Sequence, residues 1–161
     1  MHIALGSDER SHVTEFVEQE LRRRGFEVEL FGPLKGEPLG WTEVARAVAE
    51  RVVEGAADQG ILFCWTGTGV SMAANKVPGV RAALCGDAET ARGARAWNQA
   101  NVLCLSLRAT SEIVAREILD AWFSAAPDPS EEENVRRLAA LDERYRARAE
   151  EKAVAGKEGS A

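Results

Sequence analysis

Short apolar runs of strand length recur along the chain, separated by longer segments with helical periodicity, and this alternation constrains the architecture more than any other feature. HIAL (2–5) precedes VTEFVEQELRRR (13–24), where Val13, Phe16, Val17, Glu20, Leu21 and Arg24 repeat at i, i+3, i+4 and Gly25 supplies the stop. VELF (28–31), a Gly/Pro-rich loop (32–40) and a helical segment from Trp41 to Glu54, ended by Gly55, repeat the unit. GILFC (60–64), VRAAL (80–84) and NVLCL (101–105) have the unbroken apolar character of strands covered on both faces. Further helices are expected over Ala88–Trp97 and, behind a Thr110/Ser111 cap, over Ser111–Trp122. The pattern predicts an α/β fold: a Rossmann-like three-layer α/β/α sandwich around a five-stranded parallel sheet, with ligands gathered at the carboxyl ends of the strands.

With 161 residues, 45% of them apolar, the chain can close one core, assigned to residues 1–126. Beyond Pro127 and Pro129, residues 127–152 predict a charged C-terminal helix with Val135, Leu138, Leu141 and Tyr145 at helical spacing, a face suited to packing on a partner subunit. Residues 153–161 are expected to form a disordered tail.

Several function classes are disfavoured. Only two histidines are present, His2 and His12, so neither a His-rich metal site nor a His triad is expected, and no cofactor is implied. A net charge of −6 lacks the basic footprint of nucleic-acid binding. The three cysteines, Cys64, Cys85 and Cys104, form no CxxC pair and predict a reducing, cytoplasmic setting. No apolar stretch approaches the roughly 20 residues of a membrane span, and the N-terminus lacks a signal-peptide run.

The residues with chemistry to offer stand at strand ends: Gly6-Ser7-Asp8, then Cys64-Trp65-Thr66-Gly67-Thr68-Gly69, then Cys85-Gly86-Asp87. Gly67 and Gly69 leave amides uncovered before a helix expected to start near Ser71, an arrangement that cradles anions, although for the glycines taken alone a tight turn requiring positive φ is the more ordinary reading. A thiol beside such amides can serve as base or nucleophile, against the ordinary reading of a buried Cys64 as packing. Cys85 and Cys104 lack that setting and are assigned to packing. Asp8 reads either as a site carboxylate or as a helix cap for residues 9–12.

Three segments carry a family resemblance: GSD at 6–8, C-x-T-G-T-G-V-S-M-A-A-N-K-V-P-G-V-R-A-A-L from Cys64 to Leu84, and N-x-A-N-V-L-C-L from Asn98 to Leu105. Over roughly residues 1–145 the chain resembles the type-B ribose-5-phosphate isomerases and the related galactose-6-phosphate isomerase subunits. The resemblance implies metal-independent aldose–ketose isomerisation of a small-molecule sugar phosphate, in a homodimer or homotetramer whose active sites are completed by the neighbouring subunit. It implies Cys64 as the base at the carbon beside the carbonyl, amides of Gly67, Thr68, Gly69 and Ser71 around the enediolate oxygens, and Thr66 assisting at the sugar oxygens. Asp8 and Asn98 match substrate-binding positions, and Arg108 and Arg137 match positive positions around the phosphate.

Departures from the family pattern are equally specific. Glu9 stands for a histidine after the GSD aspartate, and Trp97 for the histidine assigned to furanose ring opening. Trp41 takes the place of a tyrosine over the sugar, Trp65 that of a glycine, and Glu133 one arginine of the phosphate clamp. Loss of an acid/base imidazole costs on the order of 10²–10⁴ in rate for a cyclic sugar. A short or open-chain sugar phosphate, such as a tetrose 4-phosphate, escapes that loss and is the expected substrate. The alternative is a sugar- or nucleotide-binding protein on the same scaffold, with Trp41, Trp65 and Trp97 as an aromatic box.

Overall fold

The computed structural model describes residues 1–158. Its elements are β1 (His2–Ser7), α1 (His12–Arg23), β2 (Glu27–Phe31), α2 (Trp41–Val53), β3 (Gln59–Cys64), α3 (Thr68–Ala74), β4 (Ala82–Leu84), α4 (Ala88–Asn98), β5 (Val102–Ser106), α5 (Glu112–Ser124) and α6 (Glu132–Glu158), with single 3₁₀ turns at Gly32–Leu34 and Pro129–Glu131. The five strands form one parallel sheet in the order β2-β1-β3-β5-β4. This is the expected α/β/α sandwich.

Strand alternation builds the two cores. Ile3, Leu5, Ile61, Phe63, Leu103 and Leu105 pack against α1, α4 and α5. Ala4, Leu62, Cys64, Val102 and Cys104 face α2 and α3. On that second face α2 lies very close to the sheet: a Cβ at Gly6 would meet Val44 Cγ1 at 2.6 Å, and one at Gly60 would meet Val48 Cγ1 at 2.7 Å. The two glycines therefore set the depth at which α2 sits, and with it the position of Trp41 at its first turn.

Two expectations need correction. VRAAL reads as a fully covered strand, but β4 is an edge strand limited to Ala82–Leu84, and Leu84 is 39% exposed. β2, at the opposite edge, is likewise only partly buried, because strand position, not local composition, decides burial. The C-terminal helix does not stop at 152: α6 runs through Glu158, since the alanines, lysine and glutamates there favour helix and one glycine is insufficient to end it; residues 159–161 lie outside the described residues.

At the amino edge of the sheet, fully buried Trp122 donates from Nε1 to Gln59 Oε1 at 2.6 Å, beneath the Arg95 guanidinium 5.4 Å from the ring. Trp122→Phe retains most of the apolar contact but leaves the buried Gln59 acceptor unpaired. Urea denaturation is expected to show a loss of about 1–3 kcal/mol at an unchanged m-value. Trp122→Phe together with Gln59→Leu should recover part of that loss.

Candidate active site

The carboxyl ends of β1 and β3 are neighbours, with Ser7 in register with Phe63, so Asp8 and Cys64 emerge side by side where the strand order reverses. Cys64 is 5% exposed. Its carbonyl accepts from Gly67 N–H at 3.2 Å and Leu107 N–H at 3.0 Å, which fixes the thiol-bearing residue between the glycine turn and the β5 loop. Ser106 Oγ donates to Trp65 O at 2.9 Å and Arg108 N–H donates to the same oxygen at 3.2 Å, locking the next residue. Ser106 was not among the sequence-based candidates; its signal was only a polar residue ending the NVLCL run.

Gly67 has φ +76°, and a Cβ there would lie 2.5 Å from Leu84 Cδ1 and 2.9 Å from Leu105 C. Both the positive φ and the contact demand glycine. The turn opens directly into α3, which begins at Thr68, earlier than the expected Ser71, and the Ser71 N–H makes the first helical bond, to Gly67 O at 3.2 Å. The amides of Thr68, Gly69 and Val70 thus precede the helical ladder, beside the Thr66 and Thr68 hydroxyls, which are 2.6 Å apart. Trp41 lies against this turn: a Cβ on Gly69 would meet its Cε3 at 3.1 Å.

Asp8 is not a helix cap. Ser11 caps α1, accepting from Thr14 N–H while its own N–H donates to Thr14 Oγ1 at 3.0 Å. Asp8 Oδ1 is buried with no hydrogen-bond partner among the described residues. Burial pushes its carboxyl pKa up, its own backbone amide opposes this, and the charge of Glu9 adds to the rise. An orphaned acceptor beside a thiol is a place for a ligand hydroxyl.

The other thiols differ from Cys64 in setting. Burial, then the Asp87 charge, pushes Cys85 up to about 12, and burial, then neighbouring Cys85 and Cys64, pushes Cys104 up as well. Arg108 lines a cavity of about 390 Å³ with Thr66, Leu84, Cys85, Ser106 and Thr110, so one guanidinium shares the edge with the glycine turn. Among the described residues, no group of three His, Cys, Asp or Glu side chains could hold a metal ion, and no helix is long and apolar enough to cross a membrane.

Three candidates are not brought to this edge. α4 runs back across the sheet, so Trp97 and Asn98 at its end lie at the opposite, amino edge; Asn98 lines a cavity of about 400 Å³ with Asn75, Arg81, Ala82, Leu138 and Asp142. Trp97 is 53% exposed and folds over Gly93 of its own helix, where a Cβ would meet Cζ3 at 2.6 Å. α6 passes the same edge, with Asp142 Oδ2 accepting from Gly79 N–H at 3.0 Å. Arg137 on α6 is exposed and pairs with Glu133 at 3.0 Å, and Arg136 pairs with that same carboxylate.

A parallel α/β sandwich with a thiol, a carboxylate, hydroxyls and free amides at the carboxyl edge defines a class: Rossmann-like proteins with room for a small polar ligand at the strand ends. Residues 3–141 match the ribose/galactose isomerase family, and the chain belongs to that family of isomerases. It is 35% identical over 147 residues to ribose-5-phosphate isomerase B of Escherichia coli, covering 88% of this chain and 97% of the relative. It is 34% identical over 132 residues to D-erythrulose-4-phosphate isomerase of Pectobacterium atrosepticum, covering 78% and 84% respectively. The solved structure of Clostridium thermocellum ribose-5-phosphate isomerase B superposes with a TM-score of 0.84 at 34% identity, covering 90% of this chain and 99% of that one.

Proposed function

We propose that the chain interconverts an aldose phosphate and a ketose phosphate through an enediolate, with Cys64 as base, on a short sugar that does not close a furanose ring. The Cys64 thiolate removes the proton from the carbon beside the carbonyl and returns it to the neighbouring carbon. The negative oxygen that develops is met by the free amides of Thr68, Gly69 and Val70, those of Gly67 and Ser71 being spent on Cys64 O and Gly67 O, and preorganised donors of this kind supply the largest share of such catalysis. Thr66 assists at the sugar oxygens, and Asp8 accepts from a sugar hydroxyl, which satisfies the orphaned Oδ1. Arg108, sharing the cavity with Thr66, and Arg137 attract the phosphate; Trp41 covers the sugar against Gly69.

The observation that carries the short-chain reading is the absence of an imidazole at either family position: His2 sits on β1 at its amino end, His12 on the exposed start of α1, and Glu9 and Trp97 stand where histidines are expected. The matched relatives named for a five-carbon and a four-carbon substrate are similar to this chain at 35% and 34%, so overall identity does not choose between them. Ring opening does. The placement of Trp97, Asn98 and Arg137 at the edge opposite Cys64 supports an active site completed by a second copy of the chain, and three unpaired, buried cysteines suit a cytoplasmic homo-oligomer.

A panel of four-, five- and six-carbon aldose and ketose phosphates, assayed for turnover and for solvent deuterium entering the product, tests this reading. Erythrulose 4-phosphate is expected to turn over faster than ribose 5-phosphate; the reverse order sinks the short-chain assignment. Arg137→Ala should raise KM for the phosphorylated substrate with little change in kcat. The Glu133 pairing is exposed and weak enough for phosphate to displace it.

A further inference from the structure

Every amide that would hold the enediolate belongs to α3 or the turn before it, and α3 is a short helix packed on α2. It has seven residues, and only Val70 and Ala74 are buried along it. Its front is wedged by Gly67 against Leu84 and Leu105. Its rear packs through Ala74 on the α2 cluster and is tied to the sheet by hydrogen bonds of one side chain, Asn75. The Asn75 Nδ2 donates to Ser71 O at 3.0 Å, closing the last turn, and to Ala82 O at 2.8 Å, while Oδ1 accepts from Ala82 N–H at 2.9 Å. The amide therefore pairs with both backbone groups of Ala82 as a neighbouring strand would, on the side of β4 that has no strand partner. On the other, β5-facing side, Asn101 holds the approach to β4, its Oδ1 accepting from Arg81 N–H at 2.7 Å and its Nδ2 donating to Gly79 O at 3.0 Å.

Resting on the isomerase reading above, we infer that Asn75 is a positioning residue of the active site: by tying the end of α3 to the edge strand, it fixes the tilt of the helix and so the aim of the Thr68–Val70 amides. α3 spans about 10 Å at 1.5 Å per residue, so freeing its rear lets it pivot about Gly67 and displaces the amides at its front. A misplacement of about 1 Å at an oriented group reduces rate by on the order of 10²-fold. Ground-state binding through Asp8, Arg108 and Arg137 does not pass through α3.

The test compares wild type with Asn75→Ala and Asn75→Asp; the second keeps the acceptor for Ala82 N–H but turns an oxygen toward two carbonyls. Readouts are kcat and KM on the best four-carbon sugar phosphate, Ki for 3-phospho-D-glycerohydroxamate as a planar analogue of the four-carbon enediolate, and Tm by circular dichroism. The expected result is a fall in kcat of about 10–100-fold with a matching rise in Ki and KM within about threefold. Ki does not depend on the fraction of chains folded, so partial unfolding cannot imitate this pattern. A lower kcat with unchanged Ki, or variants within twofold of wild type in both, overturns the positioning role while leaving the isomerase reading intact. A wild-type chain that exchanges no deuterium and binds no hydroxamate overturns both.

Discussion

Cys64→Ala is expected to abolish measurable isomerisation, with kcat lowered on the order of 10²–10⁴-fold, and to abolish deuterium exchange from solvent into the substrate, while KM or the Kd for the sugar phosphate stays close to wild type. The substitution is mild structurally. Cys64 packs among Ala4, Val70 and Ala74 on the α2/α3 face, and its backbone position is set by carbonyl bonds to Gly67 and Leu107 that alanine keeps. What alanine removes is the one thiol placed beside the amides of the turn, and neither of the other two replaces it: Cys85 faces the opposite core with its pKa pushed up to about 12, and Cys104 lies two residue pairs deeper in the sheet. Exchange that survives in Cys64→Ala would move the base to another group and end the thiolate mechanism. The same variant tests the shared site. Asn98→Ala, altered at the opposite edge, should also be impaired, and a dimer dissociated and reassembled from equal amounts of the two variants would carry about one intact site in four. Recovery toward a quarter of wild-type activity is the expected result, and none at all places both residues in one chain's site.

The carboxyl edge was legible because its devices are local. A run of buried apolar residues ending in Cys64, glycines before a helix, and a GSD turn each carry their own signal, and they converge because parallel strands bring their ends together. The cap at Ser11 was available in the Ser-x-x-Thr spacing but was outweighed by the carboxylate at Asp8. The edge position of β4 was not legible, because VRAAL has the same composition as a central strand and strand order arises from crossovers that periodicity does not encode. For the same reason Asn75 was invisible as a tie: its partner Ala82 is settled only once β4 lies at the edge with α3 over it. Resemblance placed Asn98, Arg137 and Cys64 in one site without regard to distance, whereas the course of α4 sends Asn98 to the far edge of its own sheet.

Trp97→His is expected to raise the chain's activity on ribose 5-phosphate about 10²-fold or more, with erythrulose 4-phosphate turnover changed little. The asymmetry follows from which substrate needs help. Ribose 5-phosphate has a free hydroxyl on its fourth carbon and rests as a furanose, so a proton must be moved between ring oxygen and anomeric hydroxyl before Cys64 has an open-chain carbonyl to work on. In a four-carbon sugar phosphate the terminal oxygen is esterified, no five-membered ring closes, and the carbonyl is already open. The indole at position 97 cannot accept a proton, and it is held down over Gly93, so its removal frees space at the end of α4 without disturbing the buried Ala91 and Ala94 that anchor the helix. An imidazole there with an ordinary pKa near 6.5 should add a limb to the pH profile: activity on the five-carbon sugar rises as the ring loses its proton, while the four-carbon profile lacks that limb. A pH profile that gains the limb for both substrates would mean that position 97 acts on the proton transfer itself. No gain on ribose 5-phosphate, with the four-carbon activity intact, would show that substrate choice is set elsewhere, and Trp65, 61% exposed and next in sequence to Cys64, would then be the residue to change.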